Sequence, residues 1–202
     1  MLFTEKDIEA FKELGNVGAG HSAIALTKFL KREVDMSVPY VRAGTLTEVI
    51  ENSGIDPEEL VGYEIIDINK PVKYRLTVIM RADVILNLIK LMSSTTKEEI
   101  QDASDLTKMQ QSLIQEIGST IMLRYIAAIN KMMKVNSVPN DSPILKLCKF
   151  SEAIEKVGIS EKQNETVFVQ LDLFTENKKF EAVLFIQPSN ESLKEYRKAF
   201  NL

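Results

Sequence analysis

Glu13 and Asn16, in the stretch "ELGNVGAGHSAIALTKFL" that begins at Glu13, have types and spacing suited to joint chemistry. Residues three apart on a helix are neighbours on one face, so a carboxylate and an amide placed this way can act on one object together. At about 100° per residue, Glu9, Glu13, Asn16 and Gly20 fall within roughly 60° of one another. They make a polar stripe, with a glycine at one end that opens room for an incoming surface. By residue type alone the stripe also reads as an ordinary solvated helix face. The remaining inventory is thin. His21 is the only histidine and Cys148 the only cysteine, which excludes a zinc cluster and a conventional histidine relay. Any chemistry rests on carboxylates, amides and hydroxyls, or is completed by a partner.

The three glycines nearby, Gly15, Gly18 and Gly20, raise the alternative of a phosphate loop. A dinucleotide fingerprint needs G-x-G-x-x-G after a strand and opening a helix. Here the order is G-x-x-G-x-G, helical patterning runs on both sides, and no G-K-[ST] follows. Read as a helix, the segment places Ile8, Phe11, Leu14, Gly15, Gly18, Ala25 and Phe29 on one face. Gly15 and Gly18 then sit in a buried stripe where a second helix can come close. That contact offsets a helix cost of roughly 1 kcal/mol per glycine. His21 lies beside the same stripe and is expected to pack or hydrogen-bond. Cys148 is expected to be a small core or edge residue.

Composition sets the class. With 202 residues, 45% hydrophobic and 27% charged, the chain has enough apolar material for a substantial core. A net charge of -4 leaves no basic surplus for nucleic-acid phosphates. The N-terminal stretch shows no apolar signal core, and no apolar run approaches membrane-spanning length. With one cysteine, these features lead us to expect a cytoplasmic protein that binds neither nucleic acid nor membrane.

The patterning predicts a long helix from Thr4 to Lys31, a strand in "VDMSVPYVRAG" and two strands around Asn69, Lys70 and Pro71. A helix follows in "ADVILNLIKLM", then a polar connector in "SSTTKEE". A second long helix runs from Asp105 to about Met133, with Met122, Tyr125, Ile129 and Met132 as its core face. After it come a short helix "SEAIEKVG", strands in "ETVFVQLDLF" and "FEAVLFIQP", and a closing helix opened by Ser189 or Asn190. The order repeats, and "QEIGSTIMLRYIAAINK" falls on "KELGNVGAGHSAIALTK": Glu116 meets Glu13, Gly118 meets Gly15, and Lys131 meets Lys28. The expectation is one α+β domain over 1–202, built of two similar halves, about 1–97 and 98–202. Two long helices pack with a β-sheet and short helices.

At these residues the chain resembles the CheC family of chemotaxis phosphatases (the CheC/CheX/FliY type). Members carry an Asp or Ser, a Glu four residues later, an Asn three after that, and a Pro further on. Glu13, Asn16 and Pro39 stand at the matching spacing, while Glu9 occupies the position where Asp or Ser is usual. In the second half Ser112 and Glu116 sit correctly, but Ser119 stands where Asn is expected, and Pro139 and Pro143 miss the spacing. The resemblance therefore implies one intact site on the first helix and a degenerate second one. It extends over the whole chain, since the family has about this length and two pseudo-symmetric halves.

The resemblance also implies the substrate: a phosphorylated receiver protein of the CheY type, whose aspartyl phosphate is hydrolysed. The receiver supplies the acyl phosphate, a Mg²⁺ ion and a lysine, so the phosphatase binds no cofactor or metal of its own. Asn16, with an amide that both donates and accepts, would hold water in line with phosphorus. Glu13 would pair with the receiver's lysine, with Glu9, Gly20 and Pro39 supporting or touching the partner. The alternative is a non-catalytic module of the same fold that docks the deamidase CheD or a receiver.

Overall fold

Two threonines start the two longest helices. In the computed structural model, which describes residues 3–51, 53–92, 99–157, 166–176 and 178–200, Thr4 caps α1 (Glu5–Leu30) and Thr107 caps α4 (Lys108–Met133). Each cap is reciprocal. The threonine oxygen accepts from the backbone of the third helical residue, and that residue's side chain (Asp7 or Gln110) accepts from the threonine N–H. Each helix spans 26 residues and ends at a lysine in the left-handed region, Lys31 at φ 53° and Lys134 at φ 55°. The matched lengths and matched ends place Thr107, Glu116, Ser119 and Lys134 on Thr4, Glu13, Asn16 and Lys31.

The other elements are β1 (Asp35–Gly44), α2 (Leu46–Glu51), β2 (Leu60–Ile68), β3 (Tyr74–Arg81), α3 (Ala82–Met92), β4 (Lys146–Lys149), α5 (Phe150–Val157), β5 (Thr166–Thr175), β6 (Lys178–Pro188) and α6 (Asn190–Phe200). The succession α, β, α, β, β, α thus occurs twice. The polar connector expected at "SSTTKEE" falls, except for Glu99, outside the described residues. A 3-10 turn at Ala103–Asp105 precedes α4, which starts later than its periodicity suggests. Neither α2 nor β4 is foreseen by the patterning. One has six residues and the other four, too few for a period to register.

All six strands join one antiparallel sheet in the order β1-β5-β6-β3-β2-β4. Exchanging the halves (β1 for β4, β2 for β5, β3 for β6) reverses that order and leaves it unchanged. Each half sends its first strand to the far edge of the other half, so β1 pairs β5 and β4 pairs β2. One sheet face packs under α1, α4, α3 and α6 in a single cluster that includes Leu14, Leu26, Ile117, Tyr125, Leu193 and Tyr196. The other face packs Tyr63, Ile79, Phe168 and Phe185 against Phe150, Ala153 and Ile154 of α5. With helices on both faces, the central strands are buried at nearly every position and lose the alternation of a one-sided sheet.

On the core face of α4, Met122, Tyr125 and Ile129 are buried as expected, with Met132 half-buried. The buried face of α1 runs through Leu14, Gly18, Ser22, Leu26 and Leu30. Phe29 lies outside it, 38% exposed, because the buried stripe steps by four residues from Leu26 to Leu30. His21 is exposed too and makes no hydrogen bond among the described residues, in contrast to its expected packing role. Cys148 is half-buried on the edge strand β4, as expected.

Candidate functional site

The glycines of α1 have three different surroundings. A Cβ on Gly18 would lie 2.8 Å from the ring of Tyr125, so this glycine admits α4. The Tyr125 hydroxyl donates to the Gly15 carbonyl at 2.9 Å, which further fastens α4 to α1. Gly15 itself faces the sheet, with Val38 3.3 Å and Val169 3.7 Å from where its Cβ would be. The expected helix–helix contact thus holds for Gly18 and not for Gly15, whose neighbour is β1. Gly20 has nothing within 4 Å of an added Cβ and opens on solvent.

Glu9, Glu13, Asn16 and Gly20 are all exposed or half-exposed on the outer face of α1. Neither Glu13 nor Asn16 has a hydrogen-bond or ion-pair partner among the described residues, so both side chains stand ready to meet something else. Ile24, 60% exposed, continues the same face one turn beyond Gly20. Pro39 is exposed on β1, inside the irregular stretch between Ser37 and Tyr40 where the register with β5 shifts. A residue without an N–H fits such an interruption. Its neighbour Val38 is the side chain against Gly15, which places the β1 irregularity directly under the helix turn that carries Asn16.

The N-terminal turns of α1 are held by α6. Asp7 is fully buried and accepts from Arg197 Nε at 3.0 Å and Nη2 at 2.7 Å, besides its bonds to Thr4. The Arg197 bond, with the Thr4 bonds added, overcomes the effect of burial and holds the Asp7 carboxyl down at about 2. Tyr196 stacks on Phe11 with centroids 4.3 Å apart. Burial, with Asp7 and Glu13 nearby, raises the Tyr196 hydroxyl well above its usual range. Two turns of α1 before Glu13 are therefore fixed by both an ion pair and a ring stack.

The second helix differs at the corresponding turn. Ser112 and Glu116 are exposed or half-exposed, as Glu9 and Glu13 are, and Ser119 is half-buried. Its hydroxyl donates at 3.1 Å to Glu64 Oε2 on β2. Glu64 is fully buried, its Oε1 has no partner, and burial pushes its pKa up to about 8, with the Ser119 bond opposing and Glu116 adding to the rise. Gly118 makes room for it, since a Cβ there would overlap the Glu64 carboxyl. Glu64 was not anticipated from sequence. The available signal was the glycine at 118, a missing side chain over a strand. Where Gly20 stands on α1, α4 carries Leu123, 45% exposed. Among the described residues, no group of three His, Cys, Asp or Glu side chains is placed to hold a metal ion, and no helix is long and apolar enough to cross a membrane.

Residues 10–41, covering most of α1 and strand β1 through Val41, match the model of the CheC-like family. The chain is 23% identical over 192 residues to the CheY-P phosphatase CheC of Bacillus subtilis (strain 168), covering 93% of this chain and 90% of that protein. Among solved structures, Thermotoga maritima FliY superposes with a TM-score of 0.77 at 15% identity, covering 100% of this chain and 98% of that one. The FliM middle domain from H. pylori superposes at 0.67 and 8% identity, covering 98% and 99%. The CheC resemblance read from Glu13, Asn16 and Pro39 is borne out, and so is the α+β fold.

Proposed function

We propose that this CheC-like chain hydrolyses the aspartyl phosphate of a CheY-type receiver, using the outer face of α1. The observation that carries the reading is the pair Glu13 and Asn16: solvent-facing, unpartnered among the described residues, three apart on a helix clamped at its start. Both lie inside the segment that matches the family model. The similarity over most of both chains to a protein named as a CheY-P phosphatase supports the same substrate class.

Phosphoryl transfer needs positioning and charge stabilisation more than covalent help. In this reading the receiver brings the acyl phosphate, Mg²⁺ and a lysine. Asn16 holds a water, its amide oxygen accepting a hydrogen bond from that water so that the water's lone pair is aimed at phosphorus. The new P–O bond forms as the bond to the aspartyl oxygen breaks, the water's protons stay with the phosphate oxygens, and inorganic phosphate leaves a free aspartate on the receiver. Glu13 pairs with the lysine and fixes the helix in the site, and Gly20 with Ile24 lets the receiver surface approach. Ser112, Glu116 and Ser119 form a second face without the amide. A cytoplasmic setting follows from such a substrate.

A second reading, a docking module for a receiver or for CheD, is favoured by one observation: Ser119 on α4 is bonded inward to Glu64. Binding to a receiver loaded with Mg²⁺ and beryllofluoride separates the two. The phosphatase reading expects binding to the loaded receiver that weakens on Glu13→Ala, by on the order of tenfold for a lost charge-assisted contact. Equal affinity for loaded and unloaded receiver, unaffected by Glu13→Ala, contradicts it.

A further inference from the structure

One row of side chains crosses the sheet beneath α1 and α4: Val41, Val169, Leu184, Val78 and Glu64, each paired with the next. The exchange of halves that reverses the strand order maps the four inner members of this row onto one another. Leu184 trades with Val78 at the centre, and Val169 trades with Glu64. The helix glycines fit the same relation: besides Val38 of β1, Gly15 meets Val169, and besides Val78 of β3, Gly118 meets Glu64. At one place in a repeated architecture, one half has a valine and the other a carboxylic acid.

The consequence falls on the next residue of each helix. Val169 offers no acceptor, and Asn16 beside Gly15 faces outward and is unpartnered among the described residues. Glu64 is fully buried, with one oxygen unsatisfied and the other accepting from Ser119. A buried carboxyl with one oxygen short of a partner rewards any polar side chain that turns toward it. An amide both donates and accepts, and it has longer reach than a hydroxyl. The geometry points to Glu64 as a positioning residue: it draws the side chain at position 119 inward and closes the outer face of α4 as a catalytic surface, so that even an asparagine placed at 119 is captured instead of presented. The catalytic half of this statement rests on the phosphatase reading above.

The test uses the full chain carrying Asn16→Ala, so that α1 supplies no amide. To it are added Ser119→Asn alone, or with Glu64→Val (the residue of the other half) or with Glu64→Gln. Two quantities are read: hydrogen exchange of the side-chain amide introduced by Ser119→Asn, followed by NMR, and decay of a phosphorylated CheY-type receiver. With Glu64 intact, the amide should be protected and decay should stay at the Asn16→Ala level. With Glu64→Val the amide should exchange freely and decay should quicken by on the order of tenfold or more, since a recovered water-holding geometry is worth that much. Glu64→Gln keeps an acceptor and should behave as intact Glu64 does. Free exchange with Glu64 intact overturns the proposal, as does a protected amide in the Glu64→Val chain. Free exchange there without a gain in rate overturns its catalytic half, provided the otherwise unaltered chain accelerates decay. If that chain gives no acceleration, the phosphatase reading fails, and amide exchange alone decides what Glu64 does. Glu64→Ala, which also removes the acceptor, replaces Glu64→Val if a melting curve shows the latter unfolded.

Discussion

At Gly20 a side chain can be added without disturbing the packing, so this residue tests the proposed docking face separately from the fold. Its absent side chain serves no packing need, because nothing lies within 4 Å of an added Cβ. Gly20→Ala should therefore raise stability by roughly 0.5–1 kcal/mol, the usual gain in a helix interior, measurable by urea denaturation. Gly20→Leu, which copies Leu123 of α4, should leave the fold intact and weaken receiver binding by steric exclusion. A stable Gly20→Leu protein with undiminished binding would remove Gly20 from the docking face. The outer stripe of Glu9, Glu13, Asn16 and Gly20 was legible from helical angles alone, since none of the four is buried. The inward turn of Ser119 was not. It depends on Glu64, which sits in a strand apolar on both faces, where alternation carries no information about which way a side chain points.

Two carboxyls, Asp7 in the first turn of α1 and Glu64 in the middle of β2, have opposite pH behaviour. Asp7 ties α1 to α6, and its folded pKa of about 2 lies below the ordinary 3.8. The stability it contributes is present above pH 3.8 and is lost as pH falls through about 2, an amount on the order of 2 kcal/mol. Glu64, under α4, has a folded pKa of about 8 against 4.5. Its contribution is full below pH 4.5 and is lost as pH rises through about 8, on the order of a few kcal/mol. A stability–pH profile should therefore fall at both ends. Arg197→Gln should shrink the acid limb, and Glu64→Val should flatten the fall between pH 4.5 and 8 while raising stability near neutrality. An unchanged slope in the Glu64→Val protein would mean that Glu64 is not buried as described. Element boundaries follow the same logic of local chemistry. The helical pattern marked the start of α1 at Thr4, whereas α2 and β4 were too short to announce themselves.

For the molecule as a whole, the exchange of first strands decides what can fold alone. Residues 1–97 hold β2 and β3, but β1 has its partner in β5, and β2 gives its outer edge to β4. Either half alone would expose the apolar edge and face that the other covers. Chains 1–97 and 98–202 expressed separately should show little tertiary structure by near-ultraviolet circular dichroism, and mixing them should recover it. Two independently folded halves would contradict the interleaved sheet. The repeat was legible in sequence through Glu13, Gly15 and Lys28 against Glu116, Gly118 and Lys131. The interleaving was not, because periodicity places a residue on a face and says nothing about which strand lies beside it.

In the proposed function, α1, clamped by α6 and opened at Gly20, presents Asn16 to an attacking water. The most direct measurement of that role is the decay of a phosphorylated CheY-type receiver with the unaltered chain and with Asn16→Ala. Faster decay is expected with the former, and a loss on the order of 100-fold with the latter while binding of the beryllofluoride-loaded receiver persists. Acceleration that survives Asn16→Ala, with Ser119 unaltered, would contradict that role.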